Sequence, residues 1–283
     1  MSSQMKIPAK RRFGQHFLRD TGIIDRIVRL INPISSDLIL EIGAGDGALS
    51  ARLAPRVSRF LAVEVDRDCL DPLRAALADA ESAVIIGQDI LSLDLTDLVL
   101  KYRQSNQRIR VVGNLPYNIS SVIISKLLHS NLAVNDMVFM LQLEVAQRLT
   151  ADHGTKEYGF FSVECQHLSA VRLEFKVPAA CFVPRPQVVS AMVTMEPLNI
   201  PRDPVVEQHL LALTKAAFAY RRKTLANSLA LDNRVATIAA ELLRRAGIDG
   251  ARRAEQLSVQ EFERLAEVRK RLDEFPKTVG QSG

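Results

Sequence analysis

The sequence predicts an α/β protein, a mostly parallel sheet with helices on both faces, followed by a small all-helical domain. Three observations carry this reading. Through residue 140, short apolar runs alternate with amphipathic stretches at intervals of about 20–30 residues. After residue 170 the pattern turns to strict alternation, as in half-buried strands. From residue 205 onward Leu, Ala, Arg and Glu dominate and glycines are few, a helical composition.

In chain order, residues 38–42, 60–65, 83–86, 109–113 and 137–143 read as buried strands. Residues 23–31, 48–53 and 69–78 place apolar side chains at helical spacing between them. Strand, helix, strand repeated in this way gives right-handed crossovers and gathers ligand-binding loops at the strand C-termini. Residues 171–177 and 189–195 are expected to form an antiparallel hairpin closing one sheet edge. The proline-rich stretch 178–186 between them is expected to be non-helical. Residues 197–204 read as a linker, and 205–270 as about four helices. The expected domains are therefore residues 1–200 and 201–283.

With 283 residues, 47% of them hydrophobic and 24% charged, the chain can bury a core without covalent staples. Cys69, Cys165 and Cys181 are too few and too scattered for a disulfide framework or a zinc cage, so they read as buried thiols of a reducing compartment. No apolar run has membrane-span length, and the N-terminal residues lack the apolar core of a signal peptide. The expectation is a cytoplasmic protein without a membrane partner and without a metal. Net charge is +5, but it is unevenly spread: +4 over residues 1–20, −7 over 33–100 and +4 over 201–283. Basic ends around an acidic core suggest two tasks, binding a polyanion and binding a ligand that tolerates carboxylates.

The segment Glu41-Ile42-Gly43-Ala44-Gly45-Asp46-Gly47 follows the first of these strands and opens a helix. Its glycines, Gly43 and Gly45 above all, allow a sharp turn and close approach of a ligand. The spacing is Gly-x-Gly-x-Gly rather than that of dinucleotide binders, and Asp46 in the turn disfavours a pyrophosphate. Glu64 ends the next strand, where a carboxylate can accept both hydroxyls of a ribose. Asp89 follows the third, where it can accept the exocyclic amine of an adenine. Glycine loop, Glu64 and Asp89 would rim one crevice. Together they match S-adenosylmethionine, a cationic nucleoside without phosphates, better than a nicotinamide dinucleotide.

Asn114-Leu115-Pro116-Tyr117 ends the fourth strand. An aromatic exocyclic amine is a poor nucleophile because its lone pair is delocalised. Two acceptors on its hydrogens, the Asn114 side-chain oxygen and the Leu115 carbonyl, would draw the nitrogen toward tetrahedral geometry. Pro116 fixes the turn and Tyr117 can stack on the base. A strand-ending turn with a capping Asn is the simpler alternative.

At these residues the chain resembles the ribosomal RNA adenine dimethyltransferases of the KsgA type. The resemblance spans about residues 10–275 and rests on several motifs in order. These are Phe13-Gly14-Gln15-His16-Phe17-Leu18, the glycine loop, residues 87–91, Asn114-Leu115-Pro116-Tyr117, Phe182-Val183-Pro184-Arg185-Pro186-Gln187-Val188 with Ser190, and Arg222-Lys223-Thr224-Leu225. It implies a Rossmann-like methyltransferase fold with a seven-stranded sheet, an S-adenosylmethionine site and methyl transfer to adenine N6. The substrate it implies is two neighbouring adenosines in a hairpin loop near the 3′ end of small-subunit ribosomal RNA, in the 30S particle, acted on by a monomer.

It further implies that the motif with His16 and Leu18 closes over the cofactor, that Gly43 contacts its methionine part, and that Glu64 and Asp89 take its ribose and adenine. Asn114 would hold both cofactor and target amine, and Phe182 would stack on the target adenine opposite Tyr117. Many relatives carry Asn where this chain has His16. The cationic clusters Lys10, Arg11, Arg12 and Arg221, Arg222, Lys223 are the expected RNA contacts, with Arg244-Arg245 and Arg252-Arg253 as further basic pairs. Rival readings are a resistance-type methyltransferase acting on large-subunit RNA, which commonly shows Ile at the position of Leu115, and an assembly factor that works by binding.

Overall fold

A computed structural model describes residues 15–274. Nine strands and eleven α-helices are present among the described residues. Seven strands form one sheet in the order β4-β3-β2-β5-β6-β9-β7. The strands are β2 (Asp37–Ile42), β3 (Arg59–Val63), β4 (Ala83–Ile86), β5 (Arg108–Asn114), β6 (Asp136–Gln142), β7 (Ser169–Val177) and β9 (Ser190–Pro197). The pairs among β2 to β6 are parallel, whereas β9 runs antiparallel to both β6 and β7. The expected hairpin is there, and it closes the sheet at β7.

Strand order reverses between β2 and β5, so the loops leaving their C-terminal ends diverge and leave a crevice. All six residues of β2 are buried. At its far end Asp37 is held by Arg108 (Nε–Oδ1 2.9 Å) and by Arg110 (3.3 Å), which also reaches Asp136 at 2.8 Å. This ion network, buried at Asp37 and Arg110, pins the N-terminal ends of β2, β5 and β6, opposite the crevice.

Helix α1 (Thr21–Ile31) covers one face of the sheet. Asp20 caps it by accepting the Ile23 N–H, Asn32 ends it in the left-handed conformation, and Ile24, Ile27, Val28 and Ile31 form its buried stripe. Burying each of these four side chains contributes about 2 kcal/mol. Helix α2 (Ser50–Leu53) is a single turn continued by a 3₁₀ turn, and α3 (Arg67–Ala76) follows β3. The helices after β4 and β5 are α4 (Leu95–Tyr102) and α5 (Ser120–Leu128). A second, two-stranded sheet pairs β1 (Phe17–Leu18) with β8 (Phe182–Val183). The stretch 178–186 was expected to hold no helix. It contains one 3₁₀ turn, Ala179–Cys181, because the fixed φ of Pro178 suits the residue just before a turn.

The chain divides into two compact units. The first comprises residues 1–146 and 169–197, the second 147–168 and 198–283. The second contains α7 (Phe160–Leu168), α8 (Pro204–Phe218), α9 (Leu225–Leu229), α10 (Ala239–Ala246) and α11 (Val259–Glu274). Helix α6 (Leu143–Leu149) runs across the division. The core of the second unit gathers Leu210, Leu213, Leu242, Phe262 and Leu265. It also takes in Tyr158 and Val163, so residues 147–168 group with the helices that follow residue 198 rather than with the sheet before them. Cys69, Cys165 and Cys181 are buried and form no disulfide among the described residues. No helix among the described residues is long and apolar enough to cross a membrane.

Candidate active site

The C-terminal ends of β2, β3, β4 and β5 open into one cleft of about 1260 Å³, its mouth included. Gly43, Gly45, Glu64, Asp89 and all four residues of the Asn114–Tyr117 turn line it, as do His16 and Leu18. Ten of the eleven residues expected for cofactor and chemistry thus share one crevice.

Gly43 and Gly45 both adopt positive φ (70° and 57°). The Gly43 and Ala44 N–H groups donate to the Val63 carbonyl, folding the loop back over β3. The Gly45 N–H donates to Glu64 Oε2 at 2.8 Å, while Oε1 accepts the Asp66 N–H at 2.8 Å. A side chain at position 45 would meet the Phe17 ring at 3.3 Å. Burial pushes the Glu64 carboxyl above its ordinary range, against the two N–H bonds that pull it down. Asp89 is exposed and closes an Asx turn by accepting the Leu91 N–H at 2.9 Å.

Asn114 donates from Nδ2 to the His16 carbonyl at 3.0 Å. That uses one of the amide's two N–H donors and fixes which end is nitrogen, so Oδ1 is left as an acceptor. Leu115 is buried, with its N–H on the Met140 carbonyl, and its own carbonyl accepts no hydrogen bond among the described residues. Tyr117 is tethered through its hydroxyl to Ser190 Oγ at 2.7 Å, and burial raises its pKa. The His16 ring stacks on it with centroids 5.6 Å apart. The pairing of β1 with β8 brings His16 to the 182–186 loop, where Nδ1 donates to the Pro184 carbonyl at 2.8 Å.

Phe182 departs from the sequence expectation. It is 2% exposed, does not line the cleft, and belongs to the core packed against α1. A loop phenylalanine at a strand pair buries its ring where apolar neighbours exist. In this arrangement it anchors the loop and presents no face to a base. Asp46 also differs: Arg19 lies 2.5 Å from it, so its charge is offset. The exclusion of a pyrophosphate rests instead on Glu64 and on the shortness of α2, whose four residues offer little helix dipole.

One functional feature was not anticipated. Glu41, at the end of β2, lines the cleft at 2% exposure and accepts the Ser50 hydroxyl. Burial, reinforced by the Glu64 and Asp46 carboxylates and opposed by Ser50, pushes its pKa up to about 8. Its place at the head of the glycine loop was the available signal. Four carboxylate residues and no lysine or arginine line the cleft. This donor set fits a sulfonium with an ammonium group and opposes a phosphate. No group of three or more metal-ligating side chains occurs among the described residues.

Of the basic residues, Lys10, Arg11 and Arg12 lie outside the described residues. Arg221 is committed to the Lys156 and Tyr158 carbonyls (2.6 and 3.2 Å), while Arg222 and Lys223 are exposed and form no ion pair among the described residues. Arg244 and Arg245 both pair with Glu241, and Arg252 pairs with Glu261.

Comparison with known proteins identifies the family. The ribosomal RNA adenine dimethylase family model matches residues 7–270. The chain is similar to the ribosomal RNA small subunit methyltransferase A of Legionella pneumophila, 41% identical over 263 residues, covering 93% of this chain and 98% of that protein. It is likewise similar to the protein of that name from Xylella fastidiosa, 44% identical over 264 residues, with 92% and 95% covered. In fold it resembles a dimethyladenosine transferase from Plasmodium falciparum (TM-score 0.75, 21% identity, 92% of this chain and 97% of that one). It also resembles the 23S rRNA methyltransferase ErmE (TM-score 0.68, 24% identity, 89% and 98%). A family-model match over residues 7–270, together with relatives 41% and 44% identical along more than nine-tenths of the chain, places the chain in the ribosomal RNA adenine dimethylase family.

Proposed function

We propose that this enzyme dimethylates N6 of two adjacent adenosines in the 3′-terminal hairpin loop of small-subunit ribosomal RNA, within the 30S particle, and so contributes to small-subunit biogenesis. It acts as a cytoplasmic monomer. The methyl donor is S-adenosylmethionine, which when bound supplies an electrophilic methyl group. Glu64 takes the ribose hydroxyls through the lone pairs its two N–H bonds leave open, Asp89 takes the adenine, and Gly43 and Gly45 admit the amino-acid part. Leu18 walls the cleft, and His16 holds the segment from Gln15 to Leu18 against it.

At the reacting end, Asn114 Oδ1 and the Leu115 carbonyl accept the two amine hydrogens of the target adenine. That localises the lone pair on nitrogen. Pro116 keeps the carbonyl aimed, and Tyr117, fixed by Ser190, offers its ring to the extruded base. The methylated nitrogen is acidic enough to release its proton to water, so no side-chain base is required. Phosphate contacts fall to Lys10, Arg11 and Arg12 and to Arg222 and Lys223 of the helical unit, with Arg221 holding that segment in place.

The observation that carries this reading is the Asn114 amide, whose donor side is tied to the His16 carbonyl at 3.0 Å so that its oxygen is left to accept. The test is incubation with labelled S-adenosylmethionine and undermethylated 30S particles, followed by mapping of the product. Absence of N6,N6-dimethyladenosine from the small-subunit RNA would overturn it.

A further inference from the structure

Lys126 belongs to α5, the helix that follows the Asn114–Tyr117 turn. Its ammonium donates to two backbone carbonyls of another loop, Leu91 and Leu93, both at 2.7 Å. That loop joins β4 to α4 and carries Asp89. Asp89 Oδ1 accepts the Leu91 N–H, and the Asp89 carbonyl accepts the Ser92 hydroxyl at 2.8 Å and the Ser92 N–H at 3.0 Å. At the loop's end Asp94 caps α4 by accepting the Asp97 N–H.

Leu91 is therefore held on both sides, through its N–H by the Asp89 carboxylate and through its carbonyl by Lys126. The direction of the Asp89 carboxylate depends on where the Leu91 N–H sits, and that depends on the ammonium. Few side chains could do this. An ammonium has three donors and no acceptor, so it can bridge two carbonyls. Without it the loop, exposed at Asp89 and Ser92, is left with its internal turn and the buried Ile90 side chain, neither of which fixes the direction of the Leu91 N–H.

We propose that Lys126 is a specificity-determining positioning residue, which by bridging the Leu91 and Leu93 carbonyls aims the Asp89 carboxylate at the 6-amino group of the cofactor's purine and makes the cleft select a 6-aminopurine over a 6-oxopurine. The chemistry is a donor–acceptor match. A carboxylate accepts from an amine and repels a carbonyl oxygen at the same place. The proposal rests on the assignment of Asp89 to the cofactor adenine. It adds that the selectivity is set from α5, which ties the cofactor's purine to the helix behind the target-amine turn.

The test is calorimetric titration into the full chain of S-adenosylhomocysteine and of S-inosylhomocysteine, which differ by an amine against a carbonyl at the purine 6-position and by the N1 hydrogen that accompanies the carbonyl. The wild-type protein should favour the adenine compound by about tenfold or more. Lys126→Met should bring the two affinities within about threefold of each other, chiefly by weakening the adenine compound. Lys126→Arg, which can reach both carbonyls, should restore most of the preference. A merely structural role would weaken both compounds together and leave their ratio unchanged, and that result overturns the proposal.

Asp89→Asn separates the two levels. If it leaves the ratio intact, the assignment of Asp89 fails and the proposal with it. If it collapses the ratio while Lys126→Met does not, Asp89 stands and the role of Lys126 is refuted. Should Lys126→Met not fold, Lys126→Gln, which still donates to one carbonyl, takes its place with an intermediate ratio expected. An unchanged ratio there is equally decisive against the proposal.

Discussion

Glu41 offers the most direct test of the cleft's electrostatics. Its carboxyl is buried at the end of β2 with the Ser50 hydroxyl on Oε2 and the Glu64 and Asp46 carboxylates nearby. Burial is the largest influence and raises the pKa from 4.5 to about 8. At neutral pH the folded protein therefore holds Glu41 protonated, whereas the unfolded chain has it ionised. A folded pKa above the unfolded one means that this group favours folding most below pH 4.5. The benefit is lost as pH rises through the window from 4.5 to about 8. Within it, stability falls by about 1.4 kcal/mol per pH unit from this residue alone, reaching about 3–5 kcal/mol at the upper end.

Glu41→Gln abolishes the dependence while keeping the shape and an acceptor for Ser50. Urea unfolding of both proteins at several pH values between about 6 and 9 measures the difference. The variant's advantage should grow by about 1.4 kcal/mol per unit and level off above the folded pKa. Parallel stability curves across that range would refute a buried protonated carboxyl here and, with it, the account of the cleft as a site of restrained negative charge.

Three further outcomes are expected. Gly47 sits at φ 87°, and a Cβ there would lie 2.6 Å from the Ala76 Cβ, so Gly47→Ala should cost about 2–4 kcal/mol, and an unchanged thermal midpoint would contradict it. Asn114→Ala should slow methyl transfer about a hundredfold or more while S-adenosylhomocysteine binding changes far less, and equal losses in both would argue that Asn114 acts only through the His16 carbonyl. His167 sits between Glu263 (Nδ1, 2.6 Å) and Glu207 (Nε2, 2.7 Å), so both ring nitrogens must donate. Burial pulls its pKa down but the two carboxylates override it and raise it above 6.5. The triad's stability is thus full below pH 6.5 and lost as pH rises through the raised value. His167→Gln should accordingly cost about 2–3 kcal/mol near pH 6 and less near pH 9, whereas a deficit that ignores pH would count against the imidazolium.

The parallel strands were readable because each is a short apolar run with no alternative partner for its side chains, and the loops at their ends followed from that. Gly43, Glu64, Asp89 and Asn114 could be placed on one crevice because residues at the ends of adjacent parallel strands share an edge by construction. What stayed hidden depended on tertiary packing. The two-residue pairing of Phe17 and Leu18 with Val183 and Phe182 is too short to leave a periodic signal. A ring that stacks on a ligand and a ring that fills a core are the same residue in sequence, and Phe182 proved to be the second. Arg221 read as a free cation, yet its guanidinium is bound to two carbonyls brought from more than sixty residues away in the chain. Residues 147–168 precede the last strands in sequence but pack with the helices after them, which reading in chain order cannot foresee.

The charge distribution then constrains how RNA can be handled. Glu41 is held protonated and Asp46 is paired with Arg19, but Glu64 and Asp89 face the cleft and no lysine or arginine lines it, so a phosphodiester drawn into it would meet negative charge and no cation. A phosphate in place of the cationic cofactor would have no compensating partner there. The backbone of the RNA must therefore stay outside the cleft lining, and only a neutral base can enter. That division makes base extrusion a requirement of the electrostatics as well as of the chemistry. It also explains why the basic residues cluster away from the acidic segment 33–100. Cations inside the cleft would compete with the cofactor for Glu64 and Asp89, while cations outside it can neutralise phosphates without weakening the site. Among the described basic clusters, Arg244 and Arg245 pair with Glu241 and Arg252 with Glu261, whereas Arg222, Lys223 and Arg253 are exposed and form no ion pair among the described residues.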